Sequence, residues 1–173
     1  YAESNVLYRQ VRGGTFTDTT RAAELREPGW KMLGFGTQFL DVDLDGRLDL
    51  VIANGHVDDL SQLGQPYRMT PQVMWNRGGG RFVEVPSESL GPFFERKLLG
   101  RGLARGDLDR DGKDDFVVSH LDDPVAVLMN RTSRPGHSLS IRLVSVRSAR
   151  DAIGTRVSVT VGGQTSVHQL TAG

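Results

Sequence analysis

An acidic nine-residue motif occurs twice in this chain and constrains it more than any other feature. The motif reads D-x-D-x-D-G-x-x-D, and its copies occupy residues 41–49 and 107–115, at an offset of 66 residues. Four carboxylates in so short a loop repel one another unless a cation neutralises them. A hard divalent ion that takes about six to eight oxygen ligands fits this set. The motif therefore predicts Ca²⁺ rather than Mg²⁺, which requires near-octahedral geometry and retains its waters.

The spacing of the motif also predicts how each acidic loop closes around its ion. Alternate Asp side chains turn inward, and Gly46 and Gly112 occupy the point of reversal, where a positive φ is unfavourable for other residues. We expect the last Asp of each copy to reach the ion from the first residue of a strand, and two backbone carbonyls to complete the shells. The predicted cofactors are two Ca²⁺ ions. Their predicted ligands are Asp41, Asp43, Asp45, Arg47 and Asp49 in the first acidic loop, and Asp107, Asp109, Asp111, Lys113 and Asp115 in the second.

Neither acidic loop has the pattern of an EF-hand. That motif needs a bidentate Glu at its twelfth position and a helix on each side, whereas the twelfth position is Ile52 in the first copy and Val118 in the second. The flanking segments 39–40 and 50–52 are short, apolar and typical of strands. The alternative interpretation is a pair of acidic turns whose Asp side chains only cap backbone amides.

The repeat extends beyond the acidic loops. Residues 33–41 match residues 99–107 at the same offset, and an apolar strand, a glycine turn and an alternating strand follow one another at residues 5–18 and 72–84. A third round begins at residues 125–130. Together with the acidic loops, these hairpin signals describe a recurring four-stranded antiparallel unit, which is the sequence signature of a propeller blade.

The connections between these strands look irregular. Residues 54–71 are polar and punctuated by Gly and Pro, so we expect a surface loop there, and the shorter segment 119–124 replaces it in the second copy. Residues 21–26 and 87–98 have the only helical character in the chain, and it is weak.

The character of the sequence changes after residue 130. Residues 139–146 and 156–161 alternate between polar and apolar side chains, which predicts two strands. A Gly-Gly pair at 162–163 predicts a tight turn into a further strand at residues 165–170. Residues 131–173 contain six Arg and one Asp, which indicates either solvated strand faces or a patch for an anionic partner or for the acidic propeller itself.

The predicted fold is therefore all-β and has two parts. Residues 1–130 are expected to form a partial β-propeller of four-stranded antiparallel blades, and residues 131–173 a small all-β module. Equal numbers of basic and acidic residues, 21 each, argue against a nucleic-acid or membrane partner. The chain lacks cysteine, which excludes disulfide and thiolate chemistry. No apolar run approaches the length of a transmembrane helix, and residues 1–5 do not resemble a signal peptide.

The sequence does not predict an enzyme. Its four histidines, at positions 56, 120, 137 and 168, have none of the spacings of a metalloprotease, and no nucleophile motif stands between a strand and a helix. His56 and His120 both follow an acidic-loop strand and are expected either to be exposed loop residues or to line one propeller face. A sugar-stacking surface is the alternative for the aromatic residues, although blade packing accounts better for Trp75. The aromatic residues in question are Trp30, Tyr67, Trp75, Phe93 and Phe94.

The acidic loops and their strands resemble the FG-GAP/VCBS repeat of integrin α-chain propellers and of many bacterial secreted proteins. The tail is similar to the ASPIC/UnbV domain, through Arg150-Asp-Ala-Ile-Gly-Thr-Arg-Val157, the following Gly-Gly pair and the terminal Ala-Gly. The Ala-Asn-Gly-His loop at 53–56 fits the same group, so the resemblance covers nearly the whole chain. Two departures stand out: Ala149 replaces the Asn of that family, and the chain stops where the family domain continues, as expected of a fragment.

The resemblance implies a secreted, periplasmic or cell-surface protein with calcium as a structural ion. Adhesion, or binding of a protein or carbohydrate ligand, is the function it implies, and the alternative is an accessory or catalytic subunit of an extracytoplasmic or biosynthetic enzyme. Extracellular calcium modules bind at about 10⁻⁴–10⁻³ M, which agrees with this setting. Because an open set of blades leaves unpaired strand edges, we also expect self-association of the chain.

Overall fold

The computed structural model describes residues 3–30, 32–133, 139, 141–147 and 151–171, and it divides the chain into a unit of residues 1–136 and a unit of residues 137–173. The described residues are nearly all β, which confirms the predicted fold class. No helix among them is both long and apolar enough to cross a membrane. The strands are β1 (Tyr8–Gln10), β2 (Phe16–Asp18), β3 (Gly34–Leu40), β4 (Asp49–Asn54), β5 (Gln72–Gly78), β6 (Arg81–Glu84), β7 (Gly100–Gly106), β8 (Asp115–His120), β9 (Ala126–Leu128), β10 (Arg156–Val161) and β11 (Gln164–Gln169).

Among the described residues, helical structure is confined to three short pieces, and it differs from the weak helical prediction. The α-helix α1 spans Arg26–Gly29, and 3₁₀ turns span Ser61–Leu63 and Ser87–Ser89. Helix formation before α1 is interrupted because Glu24 adopts a left-handed φ of 62°. After the second 3₁₀ turn, Gly91 has a φ of 102°, which likewise ends a right-handed helix.

The central sheet of the first unit is the four-stranded antiparallel unit that the repeat predicts. Its order is β3-β4-β5-β6, so each strand pairs with the next along the chain. The second copy forms a three-stranded sheet, β7-β8-β9. Leu50 pairs with Met74 in the first sheet and Phe116 with Leu128 in the second, so the pairing of the second and third strands is equivalent in the two sheets. The offset between equivalent residues is 66 in the first two strands and 54 in the third. Within the described residues, β9 has β8 as its only strand neighbour.

The two sheets approach each other through their first strands, β3 and β7, and glycine makes this approach possible. A Cβ on Gly36 would lie 2.5 Å from the backbone nitrogen of Leu103, and a Cβ on Gly55 would lie 2.8 Å from Cα of Leu99. Both distances are below van der Waals contact. Gln38 Nε2 also donates to the Leu103 carbonyl across this boundary, at 3.3 Å. Gly36, in β3, and Gly55, directly after β4, therefore serve the packing of the two sheets.

The core lies on both faces of the first sheet because β4 is buried along its whole length. Alternate side chains of a strand point to opposite faces. One face packs toward the second sheet, in a cluster formed by Leu40, Val51, Ala53, Val73, Phe94, Phe116 and Val118. The other face packs against the turns before α1, in a cluster formed by Ala23, Leu25, Leu50, Ile52, Met74 and Phe82.

The hairpin β1–β2 precedes these sheets and confirms the strand-turn-strand pattern at residues 5–18. In the second unit, β10 and β11 form the expected antiparallel hairpin, and the glycines of its turn have φ values of 57° and 80°. The strand predicted at residues 139–146 is wrong for the part that the structure describes, residues 139 and 141–146. Alternation alone does not make a strand, which needs a hydrogen-bonded neighbour; Leu139 and Val146 are instead 70% and 92% exposed.

Two acidic loops as candidate metal centres

Both acidic loops occupy the same place in the fold. The first connects β3 to β4, and the second connects β7 to β8. Asp49 and Asp115 are the first residues of β4 and β8, as the motif predicts, and each is only 1% exposed. A carboxylate is rarely buried to this extent unless it is paired, hydrogen-bonded or bound to a metal.

Three carboxylates converge in each loop. Oxygen atoms of Asp41, Asp43 and Asp49 lie within 4.8 Å of one another, and those of Asp107, Asp109 and Asp115 do the same. Six of the eight predicted Asp ligands are therefore brought together as two matching groups. The chemistry of this donor set fits a hard divalent cation, which prefers several anionic oxygens.

The first Asp of each motif organises the backbone of its loop. Asp41 accepts hydrogen bonds from the N–H groups of Asp45, at 3.0 Å, and of Gly46, at 2.9 Å. Asp107 does the same for Asp111 and Gly112, at 3.0 Å each. These contacts also satisfy the alternative interpretation of the motif as an acidic turn. The turn and the convergence of carboxylates coexist in the same loops.

Positive φ values occur where the motif predicts them and at one further position in each loop. Gly46 and Gly112 both have a φ of 85°, which confirms the role expected of these glycines. Leu44 and Arg110 have a φ of 62°, an unfavourable conformation for residues with a Cβ. Sequence reasoning missed this second pair, because neither residue is of a type that favours the left-handed region.

The buried Asp49 is held by two backbone groups. Val42 N–H donates to its Oδ2 at 3.0 Å, and Asn76 N–H donates to its Oδ1 at 2.8 Å. Burial nevertheless raises the pKa of Asp49 above its ordinary value, and the negative charges of Asp43 and Asp45 raise it further, against the effect of these hydrogen bonds. Burial is also the main cause of the raised pKa of Asp41. A cation in this loop would oppose both shifts.

Asp115 has the equivalent environment in the second loop. Leu108 N–H donates to its Oδ2 and Asn130 N–H to its Oδ1, each at 2.8 Å. The two loops thus use the same pair of backbone donors, one from inside the loop and one from the third strand of the sheet or the residues that follow it.

The third Asp of each motif points elsewhere in this structure. Asp45 forms an ion pair with the Arg47 guanidinium, and Asp111 pairs with Lys113 Nζ at 2.9 Å. The hydrogen bond from Lys113 is the main cause of the lowered pKa of Asp111. The structure therefore records Arg47 and Lys113 as side-chain partners of Asp, and the part expected of their carbonyl groups stays a prediction.

Two side chains from outside the motif, Trp75 and Arg131, contact carboxylates of the acidic loops, and the motif does not predict either contact. Trp75 Nε1 donates to Asp43 Oδ2 at 3.0 Å, and Arg131 Nη1 contacts Asp109 Oδ2 at 3.2 Å. In the shared register, the position of Trp75 corresponds to Met129, so the indole contact belongs to the first loop alone. Nothing in the local sequence signals either contact, because the partners lie 32 and 22 residues apart along the chain.

His56 and His120 lie outside both carboxylate groups. His56 is 6% exposed and its Nδ1 accepts a hydrogen bond from Asp58 N–H at 3.1 Å, so its interpretation as an exposed loop residue is wrong. His120 is partly buried, with Nδ1 at 2.8 Å from the Pro124 carbonyl. Phe94 is 5% exposed and belongs to the core, which removes it from the candidate sugar-stacking surface. His137 lies outside the described residues.

Comparison with models of known protein families gives a match that falls on the acidic loops. Residues 41–118 match the family model of the FG-GAP-like repeat. These residues carry an FG-GAP-like repeat. The match begins at Asp41 and ends within β8, so the FG-GAP-like repeat includes both acidic loops and the strands β4 to β7 between them. No curated protein matches the chain.

Proposed function

We propose that the FG-GAP-like repeat binds two Ca²⁺ ions, one in each acidic loop, and serves as a calcium-stabilised binding module. The observation that carries this proposal is the pair of matching groups of three Asp residues, in each of which carboxylate oxygens lie within 4.8 Å of one another. Two groups of the same composition, at the same position in two sheets of the same register, are unusual for acidic turns that only cap their own backbone.

The electrostatics of the loops support the same conclusion. Asp49 and Asp115 are buried without a cationic side chain among the partners described for them, and they receive only backbone N–H groups. Each group of three carboxylates adds mutual repulsion to this desolvation. When bound, Ca²⁺ would supply the compensating positive charge and tie the first two strands of each sheet together.

The packing of the two sheets supports the proposal of a propeller-type binding module. The first strands of the two sheets lie side by side, and their close contact depends on glycine at positions 36 and 55. We propose that the sheets are successive blades and that the module acts in adhesion, or in binding a protein or carbohydrate ligand, on a secreted, periplasmic or cell-surface protein. Calcium affinity in the range of about 10⁻⁴–10⁻³ M would suit that environment.

Calorimetric titration with CaCl₂ tests the proposal. We expect two Ca²⁺ per chain, with Asp43→Asn removing one and Asp109→Asn removing the other. Asp122→Asn, which removes a carboxylate on the 119–124 segment that pairs with Arg68 outside both loops, is the matched control and should leave two. Absence of calcium binding at millimolar concentration would reject the proposal.

We further propose that the chain has no catalytic activity of its own, and two contacts support this. His56 Nδ1 accepts from a backbone N–H at 3.1 Å, and His120 Nδ1 lies 2.8 Å from a backbone carbonyl, so this nitrogen of each ring is engaged with the backbone and does not serve as a base. Hydrolysis of a glycoside, ester or phosphate that disappears in His56→Ala or His120→Ala would contradict this and favour the enzyme-subunit alternative.

Self-association through strand edges also remains a prediction. The outer edge of β9 has no strand beside it among the described residues, and Val125 and Val127 are 61% and 58% exposed. Exposed edges of this kind pair readily with another chain. Sedimentation should show dimers or larger species at tens of micromolar, and a monomer throughout would contradict the prediction.

A further inference from the structure

Asn130 contacts both acidic loops, and we propose that it couples them, so that calcium in one loop raises the affinity of the other. The proposal rests on the calcium binding proposed above. Asn130 follows β9 and touches no carboxylate with its side chain in the described contacts. It is therefore a positioning residue, whose side chain acts on the backbone of the first loop and whose own backbone contacts side chains of the second.

The contacts of Asn130 with the second loop involve its backbone. Its N–H donates to Asp115 Oδ1 at 2.8 Å, and its carbonyl accepts a hydrogen bond from Lys113 Nζ at 3.1 Å. Asp115 is one of the three converging carboxylates, and Lys113 is the ion-pair partner of Asp111. Any change that orders the second loop will therefore restrict the position of Asn130.

The contact of Asn130 with the first loop involves its side chain. Asn130 Nδ2 donates to the Val42 carbonyl at 3.0 Å, and Thr132 Oγ1 donates to the same oxygen at 3.1 Å. Val42 stands between Asp41 and Asp43, and its own N–H donates to Asp49 Oδ2 at 3.0 Å. The two peptide groups of Val42 thus connect Asn130 with the backbone of Asp41 and Asp43 and, through a hydrogen bond, with the carboxylate of Asp49.

Asn76, which occupies the equivalent position in the first sheet, makes a useful comparison. It also donates its N–H to the buried Asp, at 2.8 Å, and its Oδ1 accepts from the N–H two residues later, as Asn130 Oδ1 does. Its Nδ2, however, donates to Leu48 within its own loop, at 2.9 Å. The Asn76 amide therefore binds the acidic loop of its own sheet, whereas the Asn130 amide binds the acidic loop of the neighbouring sheet.

The sign of the coupling follows from the cost of ordering. A metal ion must immobilise its loop, and an ion in the second loop would already have restricted Val42 through Asn130 and Thr132. The second binding event then loses less conformational entropy, which gives positive cooperativity. Repulsion between the two ions opposes this, so measurements belong at about 0.15 M salt, where the screening length is roughly 8 Å. We expect a coupling of about fivefold or more in Kd, reciprocal between the loops.

A double-mutant cycle measures this coupling. Trp30→Phe leaves Trp75, beside Asp43, as the only tryptophan, so its fluorescence reports CaCl₂ binding in the first loop. Asp109→Asn disables the second loop. We expect this change to weaken the first loop about fivefold when Asn130 is present, and to have no effect once Asn130→Ala and Thr132→Val have removed both hydrogen bonds to Val42.

The possible outcomes separate the coupling from the calcium proposal. Calorimetry that detects no calcium in either loop rejects the proposed function. If two ions bind but Asp109→Asn leaves the first-loop Kd unchanged, the coupling alone is rejected. It is also rejected if Asp109→Asn still weakens calcium binding in the first loop when Asn130→Ala and Thr132→Val are present. Thr132→Val by itself, which keeps the Asn130 side chain, should give an intermediate ratio. If Asn130→Ala unfolds the chain, equality of the Thr132→Val and wild-type ratios overturns the proposal.

Discussion

The indole of Trp75 donates a hydrogen bond from Nε1 to Oδ2 of Asp43, at 3.0 Å. This contact orients one of the three carboxylates of the first loop and places an aromatic chromophore at the candidate metal centre. The second loop has Met129 at the corresponding position. The two loops, which the sequence presents as copies, are therefore distinguishable by spectroscopy.

Trp75→Phe is predicted to weaken calcium binding in the first loop and to leave the second nearly unchanged. Loss of a hydrogen bond to a charged group costs roughly 1–2 kcal/mol, and we expect the lower end because the site is only partly buried. Calorimetry should resolve one Kd that rises about fivefold, the equivalent of about 1 kcal/mol. Equal weakening of both loops would show that Trp75 supports the fold instead of the first site.

Chelation is predicted to destabilise the chain. An ion that binds only the folded state adds about 2.7 kcal/mol at a hundredfold excess over Kd. EDTA should therefore lower the Tm, and Asp43→Asn or Asp109→Asn should each abolish part of that difference. Asp122→Asn is again the control. Identical melting curves with CaCl₂ and with EDTA would show that the loops have no structural ion.

Acidification is predicted to weaken calcium binding in the first loop. Burial raises the pKa of Asp41 and of Asp49, so these carboxylates take up protons at a higher pH than ordinary Asp residues do, and a metal ligand must be deprotonated. Trp75 fluorescence titrations at falling pH should report a rising Kd. A Kd that stays constant down to the ordinary pKa of Asp would contradict the prediction.

The same two pKa shifts have the opposite consequence for stability without calcium. A carboxyl group with a pKa raised in the folded state adds stability below its unfolded pKa, and this contribution is lost as pH rises through the raised value. The Tm of calcium-free protein should therefore fall as pH rises from the unfolded pKa of Asp through the raised folded value, and Asp49→Asn should remove part of this fall. If the fall in Tm is unchanged in Asp49→Asn, other groups cause it.

Gly36→Ala is predicted to destabilise the fold by roughly 1–3 kcal/mol, because a Cβ at this position would meet the Leu103 backbone nitrogen at 2.5 Å and the sheets would have to separate. Gly106→Ala is the matched control. Gly106 lies at the end of β7, and an added Cβ would have no atom within 4 Å. Urea denaturation should show a lower midpoint for Gly36→Ala alone, and equal midpoints would contradict this account of the interface.

Much of the fold and part of the candidate site were predictable from the sequence. The strand-loop-strand units were predictable because alternation, glycine turns and the acidic motif all act over fewer than about ten residues. The burial of His56 was not, since it depends on the packing of segment 54–71. The missing strand at residues 139–146 shows the converse limit: the local pattern is present, but a strand also needs a partner that the pattern does not specify.

The sequence by itself determined where the acidic loops lie, which carboxylates open and close them, and where glycine must adopt a positive φ, because a short loop contains all the groups that shape it. Only the tertiary structure decided which residues join the loops to the rest of the molecule. Trp75 reaches Asp43 across 32 residues, and Asn130 reaches Val42 across 88. Such contacts arise from the pairing of strands and the packing of two sheets, so no local pattern encodes them.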